Sequence, residues 1–378
     1  MKTLTRRAAL SQAGACALAA LTQPFEARAQ TSVTPQAAPM QALGPAGVPG
    51  FPKAAVIRTL FRDYAPEELA GGATLFHEHL SIGADFNERF RAATMAVLAA
   101  NGIPPARAPQ GAPPAPPGPD PMRDVALMAQ ELRAAGHDGV ACIVDASLEG
   151  TGMDLGFIRE AARRSGLPVV KGAGFYTQPF YPPEVSKMSE EQIALAILRQ
   201  ADSYPAGALG EIGSWDEITA LERRVFRAVG RVHRETDLPV FTHTGIPGRS
   251  ALEQLDILED AGVDPRRVCI GHLGNLNDPE VYVHKTLCRR GAFVAFDRQG
   301  SGRDDAVVPL VMKLIDDGFA DHLLFSGDAF RGYGRVLTVF LPKLRAAGAS
   351  DEVLHRITVD NSRRFLAFVP KRARQPAA

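Results

Sequence analysis

The stretch "TLFHEHL", residues 74–80, decides how the chain folds. A short apolar run leads directly into His77 and His79, with Glu78 between them. In a β-strand, residues i and i+2 point to the same face, so both histidines face one side and Glu78 faces the other. A single histidine at a strand end is commonly no more than a hydrogen-bonded polar residue. A same-face pair behind a buried strand raises the question of a metal site.

Seven more apolar runs follow at regular intervals, and segments with helical periodicity separate them. Eight strands that alternate with helices predict an α/β fold, a TIM-type (β/α)8 barrel with a parallel, closed, eight-stranded sheet. A doubly wound open sheet is the rival, but it usually has a glycine-rich phosphate turn where this chain has the histidine pair. The seven runs are "GVACIVDAS", "LPVVKGAGFY", "AGALGEIG", "LPVFTHT", "RVCIGHL", "AFVAFDR" and "HLLFSGD".

The first 29 residues are expected to be an export signal. Lys2, Arg6 and Arg7 precede a mild apolar stretch, and Ala27–Ala29 fits a small-residue cleavage site. The paired arginines resemble a twin-arginine signal, and a plain secretory signal is the alternative. We therefore expect a periplasmic or secreted protein.

The rest of the chain divides by composition. Residues 30–55 are a Pro- and Ala-rich leader, residues 56–370 form the barrel, and residues 371–378 form a tail. A Pro-rich tract at 101–121 interrupts the connection after the first strand and cannot form a helix interior or a central strand. We interpret it as a surface insertion, and a cover over the site is the alternative.

Composition narrows the class of partner. Lys and Arg together number 42, as do Asp and Glu, so the formal net charge is zero. The chain therefore has no excess of positive charge that would favour binding to nucleic acid or, once the signal is removed, to a membrane surface. Outside residues 1–29 the cysteines are Cys142, Cys269 and Cys288, without metal-like spacing. Cys142 and Cys269 lie in apolar runs and are expected to be core thiols. The expected partner is a small-molecule substrate, with a homodimer as an open alternative to a monomer.

Potential metal ligands gather where the strands end. The carboxyl ends of parallel strands meet at one face of a barrel, so these side chains should converge. Imidazole and carboxylate donors suit zinc, and manganese, cobalt and iron are the alternatives. Six donors exceed what one tetrahedral ion with an open position uses, so we expect two divalent ions, about 3.5–4 Å apart, that share a carboxylate and a water. The six candidates are His77, His79, Glu211, His243, His272 and Asp328.

At these residues the sequence resembles the phosphotriesterase family of the amidohydrolase superfamily, over roughly residues 55–368. The motifs in order are "PEELAGGATLFHEHL", "VVKGAGFY", "VFTHT", "RVCIGH", "LFSGD" and "ITVDNSRRFLAF". The resemblance implies one ion bound by His77, His79 and Asp328, and a second bound by His243 and His272. Glu211, in "GEIG", matches a branch of the family with a glutamate bridge in place of a carboxylated lysine. Lys171 is the rival bridge.

The resemblance also implies a metal-dependent hydrolase. A bridging hydroxide would attack an ester or N-acyl amide carbonyl, or a phosphoester centre, with Asp328 accepting its proton and Arg298 orienting the substrate. Gln299 stands where lactonase-like relatives tend to have an aromatic residue, which favours an ester or amide over a lactone. A lactonase, a phosphotriesterase proper and an inactive periplasmic binding barrel are the alternatives. Residues 329–334 are expected to border the pocket, and Tyr176 and Trp215 follow strands at the same face, where stacking on the substrate and simple packing are equal alternatives.

Overall fold

The computed structural model describes residues 50–102, 119–245, 250–276 and 278–374. The predicted export signal, residues 30–49 of the leader and most of the Pro-rich tract lie outside the described residues. They remain predictions, as does the periplasmic or secreted location. Within the described parts of the chain, none of the helices is both long and apolar enough to span a membrane.

Eight parallel strands form one sheet in the order of the sequence, each hydrogen-bonded to the next. A small antiparallel hairpin of β1 (Ile57–Arg58) and β2 (Asp63–Tyr64) precedes them. The predicted parallel barrel is therefore confirmed. Its strands are β3 (Ala73–Glu78), β4 (Val140–Asp145), β5 (Val169–Ala173), β6 (Ala208–Ser214), β7 (Val240–Thr244), β8 (Val268–Ile270), β9 (Phe293–Phe296) and β10 (Leu323–Phe325).

Helices alternate with these strands, and several begin with a side-chain cap. Thr219, for example, accepts a hydrogen bond from Glu222 N, while the Glu222 side chain accepts one from Thr219 N. The helices are α1 (Phe86–Ala100), α2 (Val125–His137), α3 (Leu155–Ser165), α4 (Glu190–Ser203), α5 (Ala220–Thr236), α6 (Ala251–Asp260), α7 (Tyr282–Arg289), α8 (Asp304–Asp316), α9 (Leu341–Ala346), α10 (Asp351–His355) and α11 (Ser362–Leu366).

The seam between the first and last barrel strands is closed by the side chain of Glu78. Its carboxylate accepts hydrogen bonds from Ser326 Oγ (2.7 Å), Gly327 N (2.7 Å) and Ala329 N (2.8 Å). Asp328 N also donates to His77 O at 3.1 Å. Glu78 thus points away from the two histidines, as the alternation predicts, and ties β3 to the loop after β10.

Apolar side chains pack in two layers, one between sheet and helices and one inside the barrel. The inner layer includes Phe76, Val144, Phe241 and Phe365, so the lumen is a packed core rather than a pore. The three described cysteines are free and buried, as predicted for the two in strands. Polar side chains are left to gather above this core, at the carboxyl ends of the strands.

Candidate metal centre

An irregularity in β3 turns His77 into the barrel. Leu75 packs in the outer layer and Phe76 in the inner one, so strict alternation would send His77 outward. The pairing of β3 with β4 shifts register between Leu75 and Glu78. Bulges of this kind re-aim side chains beside active sites. Consequently Phe76 and His77 both face the lumen, and His79 follows two residues later.

A register shift of the same kind, in β6, places Glu211. In β6, Ala208 packs inside and both Leu209 and Ile212 pack outside, and the register with β7 shifts between these last two residues. Gly210 has a φ of 143°, and a Cβ there would lie 2.3 Å from Phe241 O. Only glycine fits so close an approach. The shift brings Glu211 inward, 3% exposed.

Two further candidates sit on left-handed backbone just beyond their strands. His272 has a φ of 62° and Asp328 a φ of 47°. Residues other than glycine rarely adopt this conformation, and it costs of the order of 1 kcal/mol or more. Such strain is found at sites where the position of a side chain matters more than local stability. His243 needs no such device, because it lies within β7.

The structure brings all six candidates together around Glu211. One of its carboxylate oxygens, Oε1, lies 3.3 Å from His79 Nε2. The other, Oε2, lies 2.9 Å from His243 Nδ1 and 3.4 Å from both His77 Nε2 and His272 Nε2. Each oxygen of the carboxylate therefore faces a different part of the cluster.

Asp328 completes the group from the opposite side. Its Oδ1 lies 3.1 Å from His79 Nε2 and 3.8 Å from His77 Nε2, and its Oδ2 accepts a hydrogen bond from Arg298 Nε at 2.8 Å. Two compact sets of ligand atoms result, His77–His79–Asp328 and Glu211–His243–His272. Arg298 is thus placed at the rim of the cluster and already engages one of its acids.

Asp297 is a site residue that the sequence analysis missed. It is buried at the end of β9 and accepts from two imidazoles, His77 Nδ1 at 3.1 Å and His272 Nδ1 at 2.9 Å. A third donor is His272 N, at 3.0 Å. Acids in this position fix the orientation and tautomer of metal-binding histidines. Asp297 also belongs to a third possible set of ligand atoms with these two histidines.

Lys171 does not reach the cluster, so its role as a rival bridge is wrong. The flanking residues Val169 and Ala173 pack in the outer layer, and Lys171 shares their face of β5. Its ammonium lies 3.0 Å from Asp145 Oδ2, on the neighbouring strand. The position of a lysine one strand early in the sequence therefore reflects a buried ion pair and not a metal bridge.

Aromatic rings surround the cluster at the pocket side. Tyr176 Oη lies 3.0 Å from His243 Nδ1, and the Trp215 and His243 ring centroids are 6.0 Å apart. Phe330, in the predicted loop 329–334, lies 5.6 Å from the His79 ring. Trp215 also lines a cavity of about 850 Å³ between α1 and the loops after β5 and β6. Both Tyr176 and Trp215 are largely buried, so packing accounts for most of their surface.

The charges of the cluster favour a cation. Burial alone would raise the pKa of Glu211, but the imidazoles of His77, His243 and His272 outweigh it and hold the pKa well below its ordinary value. For Asp328, burial is likewise outweighed by Arg298 and His79, and the pKa lies below its usual range. Both acids are therefore ionised at neutral pH in a buried site.

The imidazoles respond in opposite directions. Burial lowers the pKa of His79, but Asp328 and Glu211 outweigh this effect and raise the pKa to about 9. Burial and the neighbouring His272 lower the pKa of His243 to about 4. In addition, His77 Nε2 is buried without a hydrogen-bond partner among the described residues. This nitrogen, with buried carboxylates beside it, fits a divalent cation.

The family profile of the phosphotriesterases, described as "Phosphotriesterase family", matches residues 65–366. The chain belongs to the phosphotriesterase family. This match spans the whole barrel and every one of the six candidate side chains. The family is metal-dependent, in agreement with the donor sets described above.

Three relatives illustrate the range of the phosphotriesterase family. The aryldialkylphosphatase of Saccharolobus solfataricus is 28% identical over 63% of this chain and 84% of its own length. The N-acetyltaurine hydrolase of Danio rerio is 25% identical over 82% of this chain and 98% of its own. The phosphotriesterase homology protein from Escherichia coli has a crystal structure with phosphate in its active site, and its sequence is 26% identical to this chain. The two structures match with a TM-score of 0.65 over 80% of this chain and 100% of that one. The protein is accordingly a metal-dependent hydrolase.

Proposed function

We propose that the protein is a binuclear metal-dependent hydrolase that cleaves a carboxylic ester or an N-acyl amide. The observation that carries this proposal is the convergence of four imidazoles and two ionised acids at one end of the barrel. One ion would be held by His77, His79 and Asp328. The second would be held by His243 and His272, and Glu211 would bridge both.

The placement of Glu211 supports a bridging role. Its two oxygens face different histidines, His79 on one side and His243 on the other. A carboxylate presented in this way can give one oxygen to each of two ions. Zinc is the metal proposed, because the donors are all nitrogen and oxygen and zinc accepts both in low coordination number.

When bound, the metal ions would lower the pKa of a water so that hydroxide is available near neutrality, and would polarise the substrate oxygen. Asp328 would accept the proton of the attacking water, because it is ionised and lies at the cluster. Arg298 holds Asp328 in place through its hydrogen bond and would orient a polar part of the substrate with its remaining N–H groups. Burial raises the pKa of Tyr176, so its O–H stays available as a further donor beside His243.

The type of bond is proposed from chemistry and from relatives. A nucleophile paired with a Lewis acid suits a carbonyl, and the similarity to an N-acetyltaurine hydrolase favours an N-acyl amide. A phosphoester is the second candidate, because the Escherichia coli relative holds phosphate in its active site and another relative is an aryldialkylphosphatase. A lactone ranks lower because Gln299 follows Arg298.

A metal assay combined with a substrate panel tests the proposal. We expect two zinc ions per chain, and turnover of an aryl ester or an N-acyl amide that is lost with a chelator and restored by zinc. In Glu211→Gln, which keeps the size of the side chain but removes its charge, the bound metal should fall below that of the wild-type chain. Wild-type protein that turns over these substrates without metal would refute the proposal, and unchanged metal content in Glu211→Gln would refute the bridge.

A further inference from the structure

Lys171 and Asp145 form a buried ion pair beside the candidate metal centre but outside it. Their Cα atoms are opposite each other in the pairing of β4 with β5, and neither residue is exposed to solvent. Lys171 Nζ also donates to the carbonyls of Ser147 and Gly172. Because desolvation largely cancels the attraction in a buried ion pair, the pair adds little stability over a packed apolar pair. Packing alone therefore does not account for this pair.

The second oxygen of Asp145 faces the end of β3. Asp145 Oδ1 accepts hydrogen bonds from Leu80 N at 2.8 Å and from Ser147 Oγ at 2.9 Å. A carboxylate has no hydrogen to give, so the Ser147 hydroxyl must be the donor in this contact. Ser147 Oγ also lies 3.3 Å from His79 Nδ1. Since its hydrogen is committed to Asp145, Ser147 meets His79 as an acceptor.

This direction of donation determines the state of the His79 ring. With Ser147 as acceptor, Nδ1 carries a hydrogen, and the lone pair of Nε2 is left for a metal ion. His79 Nε2 is the atom that faces Glu211 and Asp328. No carboxylate lies within hydrogen-bond distance of His79 Nδ1 among the described residues, whereas Asp297 contacts His77 and His272 directly.

We propose that Lys171, Asp145 and Ser147 form a relay that positions His79 as a metal ligand. The ammonium holds the carboxylate, the carboxylate orients the hydroxyl, and the hydroxyl selects the Nδ1–H form of the imidazole. These are positioning residues and do not contact the substrate. The relay rests on the metal-dependent chemistry proposed above. It assigns a positioning role to Lys171, which the sequence suggested as a metal bridge.

Ser147→Ala is the sharpest test, because it removes one hydroxyl and leaves the ion pair intact. We expect about 10- to 100-fold weaker binding of one of the two zinc ions, measured by chelator competition on the full chain. In nitrogen NMR of histidine-labelled, zinc-loaded protein, the Nδ1–H signal of one imidazole should shift relative to the wild type, because its hydrogen-bond acceptor has been removed. In the double variant Asp145→Asn with Lys171→Met, which removes both charges together, the same ion should be weakened.

Arg363→Met is the matched control. It breaks another buried ion pair, between Arg363 Nη2 in α11 and Asp360 Oδ1 just before that helix, at 2.6 Å. We expect lower stability but wild-type zinc binding. Wild-type affinity for both ions in Ser147→Ala, or equal weakening of zinc by Arg363→Met, would overturn the relay alone. A wild-type chain that binds no zinc would overturn the relay and the proposed function together.

Discussion

Histidines at the two ends of the barrel have different kinds of hydrogen-bond partner. At the amino-terminal end, His233 Nδ1 bonds to Leu238 O at 2.8 Å and His322 Nδ1 bonds to Ala292 O at 3.1 Å. Each of these rings is satisfied by a backbone carbonyl nearby. At the carboxyl-terminal end, four imidazoles and two acids face one another, and His77 Nε2 has no hydrogen-bond partner among the described residues.

This difference shows how to separate a structural histidine from a functional one. A ring that finds its partner in the local backbone stabilises the fold and needs nothing else. Imidazoles that face one another and ionised acids share too few protons to satisfy every nitrogen and oxygen. A bound cation satisfies these groups together. Variants at the two ends should therefore change different properties, activity and metal binding at one end and stability at the other.

The largest effect is expected for Asp328→Asn, which keeps the shape of the side chain but removes the proton acceptor. We expect kcat to fall by about 10²- to 10⁴-fold. Steady-state kinetics on the best substrate of the panel, at saturating zinc, measures it. A kcat within tenfold of the wild type would show that Asp328 accepts no proton.

A smaller effect is expected for Asp297→Asn, measured as zinc affinity. Its carboxylate orients His77 and His272, which the proposed assignment gives to different ions. Both ions should therefore bind about 10- to 100-fold more weakly, in contrast to the single ion affected by Ser147→Ala. Loss of only one ion in Asp297→Asn would contradict this assignment.

The pH dependence of the metal-free protein sharpens the comparison further. The folded-state pKa of His79, about 9, is above its ordinary value of 6.5. The stability that its charge contributes is thus fully present below pH 6.5 and lost as the pH rises through 9. Zinc affinity should increase over the same window, because the metal displaces the proton. Thermal melts of metal-free protein that stay flat from pH 6.5 to 9 would argue against it.

The smallest effect is expected at the other end, in His233→Gln. Losing the bond to Leu238 O should cost about 1 kcal/mol, with kcat and zinc content unchanged. Burial lowers the pKa of His233 below its ordinary value, so its neutral form contributes stability that is lost as the pH falls below 6.5. The variant should lose less stability than the wild type in that range, as denaturant melts can measure. Reduced zinc content would mean that the two ends are coupled.

The barrel and the convergence of six side chains could be predicted from the sequence. Continuous apolar runs fix the strands, and parallel strands share one carboxyl end, so the donors had to meet. The i, i+2 spacing of His77 and His79 gave their common face. The bulges that bring His77 and Glu211 inward could not be predicted, because they depend on the register with the neighbouring strand.

The acids that support the ligands were harder to recognise. Asp297 in "FDRQG" and Asp145 in "IVDAS" stand at strand ends like the ligands themselves. In sequence, an acid that binds a metal and an acid that orients a histidine look the same. The six predicted donors were also already enough to coordinate two ions. Both acids could be noticed in the sequence because each stands at the end of a strand. Only the direction of the side chain, inward or outward, distinguishes Asp145 from Asp328.

The carboxylate of Glu78 has a consequence for how the protein acquires its metal. It joins β3, near the start of the described chain, to the turn that carries Asp328, near its end. A chain still being synthesised has His77 and His79 but not the partners that complete their set. Tight retention of the metal should therefore begin only after the final strand has docked, so that a metal-loaded chain is one that has completed its barrel.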